Sequence, residues 1–274
     1  MSAITVKRLS KTFRGGIRAL DGVDLTVADG EFVALIGASG SGKSTLIRHI
    51  SGLVAGDKKS GCCQISINGH PVQDSGAISK NISATRTGIG VVFQQFNLVP
   101  RLSVLTNVLA GLLGKVPVWR GLFGFFSSEE KQLAMRALQR VGIETKARQR
   151  ASTLSGGQQQ RAAIARTIVQ GAKIILADEP IASLDPASAK RVMGILSRIN
   201  EEDGTTVVVS LHQVEYARRY CKRTIAMRAG QIVYDGPSHA LTTQFLREIY
   251  GEASEELVLP DAEDFGTAPI PATA

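Results

Sequence analysis

The chain has 274 residues, of which 43% are hydrophobic and 5% aromatic, and its formal net charge is +8. This length accommodates one large domain or two modest ones, and this composition is typical of a globular protein with a mainly aliphatic core. The amino-terminal MSAITVKRLS lacks the apolar region of a secretion signal, and no window offers about 18 unbroken apolar residues. We therefore expect no transmembrane helix and a chain that stays in the cytosol.

The charge is unevenly distributed along the chain. Seven acidic residues and no Lys or Arg follow residue 247, so residues 1–247 carry a formal charge of +15 (8 plus 7). A basic surface is compatible with nucleic acid, anionic lipid, a polyanionic ligand or simple solvation. We find no aromatic-basic motif of the kind that binds nucleic acid, so we expect no nucleic-acid partner. Residues 251–274 have the composition of an acidic, disordered tail.

Three cysteines, Cys62, Cys63 and Cys221, show neither a metal-site nor a disulfide pattern. Cys62 and Cys63 are adjacent, which does not allow an ordinary disulfide between them, and no CxxC pair for zinc is present. We expect reduced thiols, as is usual for cytosolic proteins.

In chain order, the first predicted elements are short strands. Apolar segments between Gly and Asp turns predict strands at 3–9, 21–27, 31–37 and 63–69. These segments suggest a small antiparallel layer near the amino terminus. EFVALIG, the third of them, leads directly into a glycine-rich loop, and the residues after that loop have helical spacing. The apolar residues on one side of that helix are Leu46, Ile47, Ile50 and Leu53.

The stretch 96–170 lacks clear strands. SSEEKQLAMRALQRVG (127–142) has Ser at its start, acids in its first turn and Gly at its end, which predicts an amphipathic helix. A further helix begins at SGGQQQ. Strands return at 172–178, 205–211 and 223–230. Alternating strands and helices indicate a parallel sheet with helices packed on it.

One domain is therefore expected over residues 1–250. Its fold class is α/β, with a parallel-sheet core, an antiparallel β subdomain and an α-helical subdomain inserted at about 96–165. The acidic tail 251–274 follows it.

GASGSGKST (37–45) fits the pattern G-x-x-x-x-G-K-[ST] of a phosphate-binding loop. Its glycines allow backbone N–H groups to surround phosphate oxygens, and the dipole of the following helix favours an anion at the same place. Lys43 can reach the β- and γ-phosphates, and the Ser44 hydroxyl can ligate Mg²⁺. The expected nucleotide contacts are Gly37, Ala38, Ser39, Gly40, Ser41, Gly42, Lys43, Ser44 and Thr45.

Two acids end the apolar strand IILADEP (174–180). Asp178 is placed to hold Mg²⁺ through water, and Glu179 can polarise an attacking water. His212 follows another apolar strand, TTVVVSL, at the edge where ligands bind in open α/β sheets. The alternatives are a helix cap for the acids and a structural role for the histidine.

LSGGQQQR (154–161) resembles the signature motif of ABC ATPases. The chain shows, in order, GASGSGKST, VVFQQFNLVP, LSGGQQQRAAIAR, IILADEP, SLD and SLHQ, so the resemblance covers about residues 3–247. It implies a P-loop NTPase fold with a RecA-like core that binds ATP and Mg²⁺ and hydrolyses ATP. Members of this family pack head to tail, so that each ATP lies between the phosphate loop of one subunit and the signature loop of the other. The resemblance therefore implies that Ser155, Gly156, Gly157 and Asp185 complete the site of a second copy of the chain.

The same resemblance implies further roles. Glu179 corresponds to the general base, and His212 to the residue that senses the γ-phosphate. Phe13 stands where an aromatic ring stacks on adenine, although Tyr is commoner there. Gln94 stands where a glutamine contacts Mg²⁺ or the attacking water beside the membrane partner. Phe13 as a simple core residue and Gln94 as a plain loop residue stay open as alternatives.

FQQFNLVPRLSVLTNVL, PVWRGLFGFF, ADEPIASLDP and LHQVEYARRYCKR together resemble ATP-binding subunits of phosphonate importers. The resemblance implies a peripheral protein at the cytoplasmic face of the cell membrane, with separate permease subunits and, indirectly, a phosphonate-binding protein. Another oxyanion or a polar amino acid stays open as the cargo. A non-catalytic nucleotide-gated module is disfavoured by the intact Lys43, Asp178, Glu179 and His212. PVWRGLFGFF (117–126) is read either as a docking segment for the permease or as subdomain core.

Overall fold

The structure, a computed structural model, describes residues 2–58 and 63–250. Cys62 and the tail 251–274 lie outside the described residues. The strands are β1 (Ser2–Thr12), β2 (Arg18–Ala28), β3 (Phe32–Ile36), β4 (Gln64–Ile67), β5 (His70–Asp74), β6 (Ala77–Ile78), β7 (Ile89–Val92), β8 (Ile174–Ala177), β9 (Thr206–Leu211), β10 (Arg223–Arg228) and β11 (Gln231–Pro237).

The helices alternate with these strands in the second half of the chain and cluster in its middle. They are α1 (Lys43–Ile50), α2 (Ile82–Thr87), α3 (Val104–Leu109), α4 (Val118–Phe123), α5 (Ser128–Arg140), α6 (Gly156–Gln170), α7 (Pro186–Asp203), α8 (Val214–Tyr220) and α9 (Thr243–Tyr250). None of the helices described is both long and apolar enough to cross a bilayer.

Two sheets organise the fold. The smaller is antiparallel, with the order β2-β1-β4-β5-β6. The larger has the order β11-β10-β3-β9-β8-β7, and its strands from β10 to β7 run parallel while β11 is antiparallel. The α/β class, the parallel core and the antiparallel layer are therefore confirmed.

The larger sheet has a hydrophobic core on each face. Alternate residues of β3 supply the two cores, because successive side chains of a strand point to opposite faces. Val33 and Leu35 pack with α1 and the antiparallel sheet, whereas Ala34 and Ile36 pack with α5, α6 and α7. Burial on both faces explains the unbroken apolar run of this strand.

Some details of the sequence interpretation were wrong. EFVALIG was grouped with the antiparallel layer, but β3 pairs in parallel with β9 and β10 because its two buried faces suit the centre of the larger sheet. Leu53 lies beyond the end of α1, whose C-cap is Ser51, and is exposed. The strands β5, β6, β7 and β11 were not predicted. β7 consists of only four residues, IGVV, and its glycine weakens any strand signal.

The middle of the chain is helical, as predicted. No strand of either sheet lies between Val92 and Ile174 in the residues described. α5 begins with a capping box in which Ser127 and Glu130 bond each other's backbone N–H, which confirms the predicted start of this helix. The boundary expected at about 165 stays a prediction, since α6 runs without a break to Gln170.

The structure tests the interpretation of PVWRGLFGFF as subdomain core, and docking to a permease stays a prediction. Phe126 packs against the core, but five large apolar side chains of this segment are exposed, so the reading as subdomain core is wrong for them. These five are Val118, Trp119, Leu122, Phe123 and Phe125, and we call them the apolar patch.

Candidate nucleotide site

The predicted site residues follow the carboxyl ends of neighbouring parallel strands. Gly37, Asp178 and His212 come one residue after β3, β8 and β9, and Gln94 comes two residues after β7. The pairings Ile36–Leu211, Ala177–Val209 and Val92–Ala177 bring these ends to one edge of the sheet. This is the edge at which open α/β sheets bind ligands.

The phosphate loop is folded tightly against the sheet. A Cβ at Gly37 would overlap Ser41 Oγ and the carbonyl oxygen of Met227. Gly42 has φ 107, and a Cβ there would lie 2.5 Å from the carbonyl oxygen of Ala19. Only glycine therefore fits at these two positions. Ser39 and Gly40 are exposed at the tip of the loop.

Lys43 is buried at the start of α1 and already faces the loop. Its Nζ donates to the carbonyl oxygens of Gly37 at 2.8 Å and Ala38 at 3.1 Å. Ser41 Oγ is buried, and no hydrogen-bond partner for it is found among the residues described. The loop thus contains a cation, a free hydroxyl oxygen and a helix N-terminus, all of which suit phosphate oxygens.

Asp178 lies beside the phosphate loop. Its Oδ1 accepts hydrogen bonds from Ser44 Oγ at 2.8 Å and from Ser210 Oγ at 3.0 Å. Oxygen ligands are what Mg²⁺ prefers, so Ser44 and Asp178 fit a metal ion shared with a bound triphosphate. Thr45 follows Ser44 on α1 and is half-buried.

Glu179 turns away from Asp178 although it is the next residue. Its backbone has φ 49, which is uncommon for a residue with a side chain. Its N–H donates to Ser210 Oγ at 2.8 Å, which fixes this turn. The Glu179 carboxylate instead contacts His212, with 2.5 Å between Oε1 and Nε2. This hydrogen bond from His212 lowers the pKa of Glu179, while partial burial acts in the opposite direction.

Two residues that are expected to contact the nucleotide or Mg²⁺ lie at the surface. Phe13 is 44% exposed and has the Nζ of Lys11 at 5.6 Å from its ring centroid, so the alternative of a core residue is wrong. Gln94 is exposed in the loop that follows β7. Both are positioned as surface groups, and their contacts with nucleotide stay predictions.

Comparison with known proteins decides the family. The family described as ABC transporter matches residues 20–182. The chain belongs to the ABC transporter family. It is an ATP-binding cassette of the P-loop NTPase fold and an ATPase of the ABC type, as the motifs predicted.

Curated ABC transporter relatives match nearly the whole chain. The phosphonates import ATP-binding protein PhnC 2 of Cupriavidus necator is 57% identical over 275 residues, which cover 99% of this chain and 96% of the relative. The phosphonates import ATP-binding protein PhnC 1 of Cupriavidus metallidurans is 59% identical over 256 residues, which cover 93% of this chain and 89% of the relative.

Solved ABC transporter cassettes share the architecture. The dimeric structure of the bacterial cassette MJ0796 has a TM-score of 0.75 and 36% identity, covering 87% of this chain and 100% of that chain. A dimeric post-hydrolysis state of the same cassette, bound to ADP and Pi, has a TM-score of 0.73 and 35% identity with the same coverage.

The signature loop of this ABC transporter chain begins α6. Ser155 caps the helix: its Oγ accepts from the N–H of Gln158, and Gln158 Oε1 accepts from the N–H of Ser155. The O–H of Ser155 is then left as a donor on an exposed side chain. Gly157 is buried, and a Cβ there would lie 2.6 Å from Ser188 Oγ. Gly156, which lies between Ser155 and Gly157 in the sequence, is half-buried.

Asp185 has a role within its own chain. It is the N-cap of α7, where its Oδ1 accepts from the N–H of Ser188 at 2.9 Å. Hydrogen bonds from Ser188 lower the pKa of this exposed carboxyl. The bridging of a dimer by Asp185 stays a prediction, since one chain is described.

Sequence reasoning missed Ser210. This buried hydroxyl connects the two acids, because it donates to Asp178 and accepts from the N–H of Glu179. The available signal was a polar residue within the apolar strand TTVVVSL, two positions before His212. Cys63 and Cys221, by contrast, are buried free thiols whose pKa values burial raises, and they lie in the core rather than at the site.

Proposed function

We propose that this ABC transporter subunit couples ATP binding and hydrolysis to the uptake of a phosphonate through a separate permease. The observation that carries the catalytic part is the convergence of Ser44, Asp178, Glu179 and His212 at one sheet edge. The cargo is supported by relatives named as phosphonates import ATP-binding proteins, which match over nearly the whole chain.

Within the site, Gly37 to Thr45 surround the phosphates, and Phe13 stacks on adenine. Ser44, Asp178 and Gln94 would hold Mg²⁺, which neutralises charge on the phosphate oxygens when bound. Glu179 orients and deprotonates the attacking water. His212, beside it, contacts the γ-phosphate.

The complete site requires a second copy of the chain. Ser155, Gly156 and Gly157 supply a helix N-terminus with an exposed hydroxyl donor, which fits the γ-phosphate of an ATP held by the partner. Asp185 lies at the same interface. A two-fold arrangement then gives two such sites per dimer.

The chain acts as a peripheral subunit on the cytoplasmic face of the membrane. Cytoplasmic helices of the permease bind the groove formed by about residues 94–104. The apolar patch supports the same partner, because five exposed apolar side chains on one short helix and its following turn are unusual for a surface that stays in water. The patch is also held in shape: Arg120 donates to the carbonyl oxygen of Phe125 at 3.1 Å and pairs with Glu130 at 2.6 Å.

ATPase activity in the assembled transporter tests this function. The chain, its permease and its binding protein are reconstituted in lipid with phosphonate, with phosphate or with an amino acid. We expect phosphonate to stimulate hydrolysis and the other two solutes to leave it at the basal rate. Stimulation by phosphate or the amino acid instead would keep the transport mechanism and replace the cargo by the corresponding alternative, another oxyanion or a polar amino acid. An ATP hydrolysis rate that none of the three solutes changes contradicts the importer assignment.

A further inference from the structure

We propose that Arg166 is a positioning residue that fastens the segment after Gln94 to the signature helix of the same chain, so that the two move as one body. The proposal rests on the proposed function in one respect: Gln94 lies where the permease binds. It concerns a residue outside the phosphate and metal motifs, five residues beyond LSGGQQQR on the same helix.

The segment after Gln94 has an unusual backbone. Phe96 and Asn97 have φ 58 and φ 49, and two successive side-chain-bearing residues in the left-handed region are uncommon. Two local backbone hydrogen bonds close the turn. The N–H of Phe96 donates to the carbonyl oxygen of Phe93 at 3.2 Å, and the N–H of Asn97 donates to the carbonyl oxygen of Gln95 at 2.6 Å. Such a conformation persists only where its surroundings hold it.

Arg166 stabilises this backbone conformation of Phe96 and Asn97. It lies on α6, and its guanidinium donates to the carbonyl oxygens of Asn97 at 2.7 Å and Phe96 at 3.5 Å. The side chain is partly buried, and desolvation lowers its pKa, with no carboxylate contributing. The planar guanidinium can address two carbonyl groups at once, which a lysine ammonium does less well.

The same segment also lies close to the signature loop. A Cβ at Gly156 would lie 3.5 Å from Cζ of the Phe96 ring. The Phe96 ring therefore lies beside the first residue of α6, while the Phe96 carbonyl group accepts from Arg166, ten residues further along the helix. Side chains on a helix lean towards its N-terminus, which allows Arg166 to reach back to this segment.

The chain before β7 is attached to α6 as well. Gln170 Nε2 donates to the carbonyl oxygens of Arg86, Thr87 and Ile89 at 2.9, 3.2 and 2.8 Å. α6 thus holds both ends of β7. A displacement of the Gln94 loop by a bound permease is then transmitted to Ser155–Gly157, which face the ATP of the partner subunit.

Two variants and a matched control test the proposal. Arg166→Met removes the bonds to the segment, and Arg166→Lys retains the charge but has a single donor nitrogen in place of the planar guanidinium. Arg86→Met is the control, because Arg86 is likewise a half-buried arginine whose guanidinium donates to two successive backbone carbonyl groups, those of Ser51 at 3.4 Å and Gly52 at 2.6 Å, in a different segment. Each variant is measured as the isolated chain and in the reconstituted transporter.

Amide hydrogen exchange of residues 94–98 measures directly how firmly this segment is attached to α6, and the measurement does not depend on transport. We expect faster exchange there in Arg166→Met, an intermediate rate in Arg166→Lys and the wild-type rate in Arg86→Met. In the transporter, we expect Arg166→Met to bind ATP within about twofold of wild type but to lose stimulation by the loaded binding protein on the order of tenfold. Arg86→Met should keep its stimulation.

Unchanged exchange at 94–98 in Arg166→Met overturns the proposal whatever the transport result. Faster exchange with undiminished stimulation also overturns it, since Arg166 would then be structural only. If the wild-type transporter itself shows no stimulation, the proposed function fails, and the exchange measurement still decides whether Arg166 holds the segment.

Discussion

At the scale of single residues, the candidate site depends on the different orientations of the neighbouring Asp178 and Glu179 side chains. Adjacent carboxylates would repel if both faced one site. The left-handed backbone of Glu179, fixed by Ser210, separates them: Asp178 faces Ser44, and Glu179 faces His212. Strain at such a position is typical of functional sites.

The contact with His212 predicts a pH effect. Because this hydrogen bond lowers the pKa of Glu179, the carboxylate stays ionised to a lower pH than it otherwise would. In His212→Ala the pKa should rise, so protonation of Glu179 begins at a higher pH. We expect the acidic limb of the kcat/KM profile for the remaining ATPase activity to move to higher pH. An acidic limb that stays in place would show that another group controls it.

At the scale of elements, α6 connects several parts of the candidate site. Its N-terminus is the signature loop, and its side chains hold the chain on both sides of β7. It lies close to β7: a Cβ at Gly90 would be 2.6 Å from Cβ of Thr167 on α6.

This close approach predicts the effect of enlarging Gly90. Gly90→Ala should lower the free energy of unfolding by about 1–3 kcal/mol, because β7 and α6 must separate to admit a methyl group. Gly88→Ala is the control, since its Cβ would make an ordinary 3.5 Å contact with the carbonyl oxygen of Thr85. Denaturant unfolding measures the stability of both variants. Equal midpoints would show that β7 and α6 admit the methyl group without a loss of stability.

The apolar patch on α4 and the turn after it predicts a separable defect. Trp119→Ser combined with Phe123→Ser removes two rings that are 58% and 68% exposed. We expect weaker association with the permease in detergent or lipid, and unchanged ATPase activity of the isolated chain. Leu53→Ser with Val233→Ser is the matched control, because both of these exposed apolar residues lie elsewhere. Equal permease binding by the two double variants would contradict docking at the patch.

At the scale of the whole molecule, the proposed dimer takes from one chain two halves of two different sites. The phosphate loop and the signature loop belong to separate elements, α1 and α6. Each half is already shaped within the single chain: the glycine packing shapes the first, and a capping box shapes the second.

Pairing of these halves predicts the behaviour of Glu179→Gln. This variant should bind Mg·ATP and form a dimer that persists, because it keeps the shape of the site while losing the base. Its hydrolysis should fall by roughly 10²–10⁴-fold. Size-exclusion chromatography with and without Mg·ATP, together with phosphate release, measures both effects, and Glu201→Gln is the control at an exposed glutamate. Wild-type turnover by Glu179→Gln would remove Glu179 from the role of base.

The sequence by itself determined those features whose signals lie within a few consecutive residues. The phosphate loop, the capping box of α5 and the strand ends at Asp178 and His212 are of this kind, because backbone conformation and apolar periodicity are local properties. The alternation of strands and helices also determined the fold class.

Only the tertiary structure decided the features that join distant parts of the chain. The Ser210 contact with Glu179 spans 31 residues, and the Arg166 contact with Asn97 spans 69. No local pattern distinguishes such a hydroxyl or guanidinium from one that faces water. The place of β3 in the larger sheet and the exposure of the apolar patch were likewise decided by which surfaces other elements cover, since burial is a property of the packed chain.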